Sequence, residues 1–102
     1  MINPVKQVYV DKICDAAKES GIVNRLFIFG SAITEQCDGE SDLDICVDTD
    51  CADNNRALFR LYVQISRICD YNCDILTYSK LGEKIRNEID QKGVLVYEAG
   101  EG

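Results

Sequence analysis

Two short apolar runs separated by a polar segment constrain this chain more than any other feature. Leu26-Phe-Ile-Phe29 delivers the pair Gly30-Ser31, and ten residues later Asp42-Leu43-Asp44 opens a second run that continues through Ile45-Cys46-Val47. Both runs are too short for a helix, and turn residues bound them, so each reads as a strand: Arg25 to Phe29, then Asp42 to Val47. Between them, Ser31 to about Gln36 has room for a short helix, and Asp38-Gly39-Glu40-Ser41 is turn chemistry. In the second strand Leu43, Ile45 and Val47 point one way, and Asp42, Asp44 and Cys46 the other.

The rest of the chain supplies the partners such strands need. Asn3-Pro4 is a helix start, with a capping residue followed by proline at the first helical position. Val5, Val8, Tyr9, Ile13, Ala16 and Ala17 then follow a helical stripe that Gly21 can end. Leu58, Leu61, Tyr62, Ile65, Ile68 and Cys69 mark a second amphipathic helix after a polar connector, Asp48 to Asn55. Cys73 to Thr77 reads as a third strand. Ser79 can cap a helix carrying Leu81, Ile85 and Ile89, with Gly93 as its stop, and Val94 to Tyr97 is a last short strand. Helices packed on one small sheet give an α+β class. With 102 residues the expectation is a single domain over 1–102, with 98–102 as a candidate disordered tail.

The balance of charge narrows the partners. Eighteen acidic against eleven basic residues leave a net charge of −7. Affinity for a phosphate backbone comes mainly from clustered Lys and Arg, so direct nucleic-acid binding is not expected. A nucleotide substrate stays open, because a bound cation reverses the local field. No stretch is apolar enough to span a bilayer, and the start does not resemble a signal peptide. The expected location is therefore the cytoplasm, with the six cysteines reduced. No Cys-x-x-Cys spacing and no histidine occur, which argues against a zinc site. The cysteines read as small apolar residues.

Asp42 and Asp44 project from the same strand face, about 7 Å apart, and can converge on one or two cations. Carboxylate oxygens are the ligands magnesium prefers. Taken alone, Asp-x-Asp fits a solvated strand face equally well, and Gly-Ser fits an ordinary strand-to-helix turn. In this order they complement one another. Gly30 lets the backbone approach a phosphate, and Ser31 offers a hydroxyl where a helix would begin. Asp74, inside the third strand, is either a solvent-facing residue at a sheet edge or a third carboxylate beside the first two. In the second case it can touch a metal and accept the proton of an attacking hydroxyl.

With Gly30-Ser31, ten residues, Asp42-Leu43-Asp44 and then Asp74, the chain resembles the minimal nucleotidyltransferases of the DNA polymerase β superfamily, from about Leu26 to Tyr97. The resemblance implies a nucleotidyltransferase fold, a small mixed sheet flanked by helices. It implies transfer of a nucleoside monophosphate, usually AMP from ATP, with Mg2+ and release of pyrophosphate. Asp42, Asp44 and Asp74 would be the catalytic and metal-binding residues, and Gly30 and Ser31 the nucleotide-binding ones. Many minimal members are antitoxins paired with a toxic ribonuclease of the HEPN type, which they neutralise by attaching AMP to a tyrosine. This chain departs from many relatives in carrying no basic residue from Ala32 to Ser41, which removes a charge-assisted phosphate contact. Arg56, Arg60, Lys80 and Lys84 are candidates to replace it.

Three functions follow. The first is a Mg-dependent antitoxin enzyme acting on a HEPN toxin. The second is an antitoxin without catalysis that masks its partner, for which an acidic surface suits a basic ribonuclease groove. The third is a nucleotidyltransferase for a small molecule such as an antibiotic, which at this length would need a homo-oligomer to build the pocket.

Overall fold

The computed structural model describes residues 4–30, 43–50 and 55–100. In chain order they form α1 (Pro4–Ser20), β1 (Val23–Phe29), β2 (Leu43–Thr49), α2 (Asn55–Ile68), β3 (Cys73–Thr77), α3 (Glu83–Lys92) and β4 (Val94–Glu98). The fold is α+β with a four-stranded mixed sheet in the order β3-β2-β1-β4. β1 pairs antiparallel with β2 and with β4, whereas β2 and β3 run parallel. The parallel pair follows from connectivity, since α2 provides the crossover that parallel neighbours require.

Strand periodicity sorts the side chains onto two faces. Leu26, Ile28, Leu43, Ile45 and Val47 are buried against Val10, Ile13, Ala16 and Ala17 of α1 and Leu61 and Ile65 of α2. This back face is the main core. The front face holds a smaller cluster of Phe27 and Cys46 with Ile89, the one buried residue of α3. Among the described residues no helix is long and apolar enough to cross a membrane.

The strands exceed their expected bounds by small amounts: β1 begins at Val23, β2 runs to Thr49 and β4 to Glu98. Thr49 is buried and its hydroxyl donates to the Ile22 carbonyl, so the strand persists into what composition marks as a polar connector. The start of α3 needs a correction. Ser79 does not cap it; Tyr78–Lys80 form a single 3-10 turn, and Gly82 is the capping residue, with no side-chain bond. Tyr78 and Leu81 are drawn onto the front-face cluster, which delays the helix until Glu83. The expected cap at Asn3 and the short helix from Ser31 lie outside the described residues, as do Cys37 and Cys51.

Candidate active site

Three strand ends meet at one edge of the front face. Phe29 closes β1 and pairs with Asp44, the second residue of β2. Asp44 in turn pairs with Asp74, the second residue of β3. Register partners on neighbouring strands share a face and stand about 5 Å apart at Cα. The two carboxylates are thus neighbours across the sheet although thirty residues separate them in the chain. Asp44 is half-buried and Asp74 exposed. Exposure alone is ordinary on β3, an edge strand; the register with Asp44 is what makes Asp74 informative.

Gly30 completes this edge. Its φ is +72°, and a β-carbon built there would stand 2.1 Å from Oδ2 of Asp44. Any larger residue would displace that carboxylate, so the backbone after β1 lies directly against it. A left-handed backbone here also matches the freedom only glycine has at low cost. The donor set suits an oxygen-seeking divalent cation: two carboxylates in register carry like charge that such an ion would neutralise. Among the described residues no group of three His, Cys, Asp or Glu side chains is gathered for a metal. The expected third ligand, Asp42, and the phosphate-binding Ser31 lie outside those residues.

The thiol beside this edge is inert. Cys46 is fully buried, and burial first, then the charge of Asp48, pushes its pKa up to about 12. Cys14, Cys46, Cys69 and Cys73 are all free, in keeping with their reading as reduced, small apolar residues.

A cationic residue absent from the sequence-based candidates sits lower on the same face. Nε of Arg25 meets Oδ2 of Asp48 at 2.8 Å, and its guanidinium lies 5.1 Å from the ring centres of both Phe27 and Tyr78. Tyr78 donates its hydroxyl to Asp90 of α3 at 2.9 Å. Nothing local announces this cluster, because Arg25 and Asp48 are joined only by the β1–β2 register. Arg60, a proposed substitute for the missing phosphate cation, instead lines a groove of about 640 Å3 with Lys12 of α1 and with Phe59, Val63 and Arg67 of α2. That groove belongs to the helical layer behind the sheet. Arg56, Lys80 and Lys84 are exposed.

The family described as Polymerase beta, Nucleotidyltransferase matches residues 11–101. No curated protein matches the chain in sequence. Similar solved structures include a tri-AMPylated Shewanella oneidensis HEPN toxin in complex with an MNT antitoxin, at 18% identity and TM-score 0.69, covering 92% of this chain and 73% of that one. A toxin–antitoxin structure with AMP-PNP gives a TM-score of 0.73 at 17% identity, covering 90% and 75%. A minimal nucleotidyltransferase gives 0.68 at 16% identity, covering 85% and 88%.

Proposed function

The chain belongs to the polymerase beta nucleotidyltransferase family, and from that premise we propose that it transfers AMP from ATP to a tyrosine hydroxyl of a HEPN-type ribonuclease, acting as that toxin's antitoxin. The observation that carries the reading is the edge where Gly30 lies against Asp44 and Asp44 is in register with Asp74. It unites a close backbone approach, suited to a phosphate, with two of the three expected carboxylates. The AMPylated toxin of the Shewanella structure supports the choice of acceptor.

In this mechanism Asp44 and Asp74, with Asp42, would hold Mg2+. When bound, the ion neutralises charge on the triphosphate and on the departing pyrophosphate. Gly30 keeps the backbone close to the phosphates, and Ser31 adds a hydroxyl to them. Asp74, exposed at the open side of β3, accepts the proton of the incoming hydroxyl as it attacks the α-phosphorus in line. With Arg25 engaged by Asp48 and no basic residue between Ala32 and Ser41, more of the charge work would fall to the backbone and to a cation held by the carboxylates. The same shortage of cations favours a second reading, in which the chain neutralises its partner by covering it.

The deciding experiment combines the chain, labelled ATP, Mg2+ and the protein encoded beside it. Label should appear on that protein. Asp44→Asn and Asp74→Asn should each lower the rate by at least about a hundredfold, the scale of losing a positioned acid–base group. Transfer that persists in both variants would sink the carboxylate mechanism. Neutralisation of the partner without transfer would establish the covering role.

A further inference from the structure

Tyr71 occupies a left-handed backbone state that bulky residues rarely adopt. The chain leaves α2 through a turn in which the N–H of Asp70 donates to the Arg67 carbonyl and that of Tyr71 to the Ser66 carbonyl at 2.7 Å. This pair of bonds is a Schellman cap, and it accounts for the left-handed φ of +53° at Asp70. The N–H of Asn72 donates to the Cys69 carbonyl at 3.0 Å, which closes a tight turn with Asp70 and Tyr71 at its centre and sets the φ of +63° at Tyr71, where glycine or asparagine is the usual residue. A bulky residue with positive φ is a genuine outlier, of the kind that gathers at functional sites. In such caps the residue at this place commonly packs an apolar side chain back on the helix. Tyr71 does not: it is 69% exposed.

The turn is placed at the catalytic edge. The next residue, Asn72, accepts a hydrogen bond from the N–H of Leu43 at 3.0 Å, which ties the turn to the residue before Asp44. Tyr71 stands three residues ahead of Asp74, in the turn that leads into β3. The other four tyrosines are held elsewhere. Tyr62 shares a hydrogen bond with Thr77, and Tyr78 donates to Asp90. Tyr97 packs on the main core, and Tyr9 lies on α1 with the ammonium of Lys6 over its ring.

We propose that Tyr71 is an acceptor for the chain's own nucleotidyl transfer, so that the protein adenylylates itself; this rests on the function proposed above. The phenolic oxygen of Tyr71 attacks the α-phosphorus of ATP. A new oxygen–phosphorus bond forms as the bond from that phosphorus to the bridging oxygen breaks. Pyrophosphate leaves with the electron pair, and the phenolic proton passes to the carboxylate of Asp74 and on to water. The product carries a bulky anion at the mouth of the site, where it competes with a second acceptor.

The test incubates the chain with ATP and Mg2+, with and without the HEPN-type partner, and reads both proteins by intact mass and peptide mapping. One adenylyl group on the peptide containing Tyr71 is expected, reduced more than tenfold in Tyr71→Phe and in Asp44→Asn. The phenylalanine variant keeps the ring and should fold as before, and its modification of the partner should rise because the competing acceptor is gone. Label on the partner with none on the chain overturns the self-modification and leaves the proposed function standing. Label on the chain that survives Tyr71→Phe does the same. Absence of label from both proteins overturns both.

Discussion

The two faces of the sheet use the same strands for different work. Behind the sheet, Leu26, Ile28, Leu43, Ile45 and Val47 are sealed by two helices. In front, α3 contributes one buried residue, Ile89, over Phe27 and Cys46, and the strand ends beyond that cluster carry Asp44 and Asp74. Alternate residues of β2 thus enter a dry core and a charged edge. The contrast shows how a small domain tolerates carboxylates in register. Apolar burial at about 25 cal/mol per Å2 accumulates on one face, leaving the other free to hold like charges near water, where their repulsion is weak.

Adjacent residues of β2 give the sharpest way to break that contrast. Ile45→Ala should cost about 2–5 kcal/mol of folding stability, the range for emptying a sealed core position, measured by urea unfolding. Asp44→Asn should move the urea midpoint far less, because Asp44 is half-buried at the sheet's edge and keeps its shape as asparagine, while lowering transfer at least about a hundredfold. If the two substitutions destabilise equally, the front edge is structural and the division between the faces fails.

Gly30→Ala comes next in size and joins the faces' properties in one residue. The left-handed backbone makes the substitution cost about 1–2 kcal/mol, and the added carbon must push the Asp44 carboxylate aside. Transfer should therefore fall far more than stability. A variant of unchanged rate would show that Asp44 need not stand where the glycine leaves room for it.

Much of this arrangement can be read from the chain. β3 was expected at Cys73 to Thr77 and is found there, because a five-residue apolar run between turn residues has few other uses. The back face was legible from the alternation of Leu43, Ile45 and Val47. What local pattern could not supply was register. That Asp44 faces Asp74 depends on where α2 lays β3 down, and that Arg25 meets Asp48 depends on the β1–β2 pairing. The start of α3 was misread for the same reason: Ser79 is good capping chemistry, but the contacts of Tyr78 across the front face decided where the helix begins. Ser31 and Asp42 rest on their spacing from Gly30 and Asp44.

Arg25→Ala tests whether the lower front face contributes to stability. The guanidinium bridges Asp48 and stacks on two rings, yet about a third of it is exposed, so solvent screens the pair. The expected loss is about 1 kcal/mol, ion pair and ring contacts together, and raising salt should narrow the gap between variant and wild type. A loss as large as that of Ile45→Ala would make the front face a second core.

The remaining effect appears only at alkaline pH, and in it the faces should behave alike. Cys46 in front and Cys69 behind both have pKa values raised from 9.0 to about 12, chiefly by burial. Between those values the native thiol keeps its proton while the unfolded chain has lost it. The unfolded state therefore binds fewer protons, and stability must fall as pH rises from about 9 towards 12. Each thiol contributes at most about 1.4 kcal/mol per pH unit. Cys46→Ala and Cys69→Ala should each flatten the alkaline decline by a similar amount, seen as a shallower fall in urea midpoint between pH 9 and 10.5. A change with Cys69→Ala alone would mean that water reaches Cys46 beneath α3, and that the front cluster is less closed than Ile89, Phe27 and Cys46 make it.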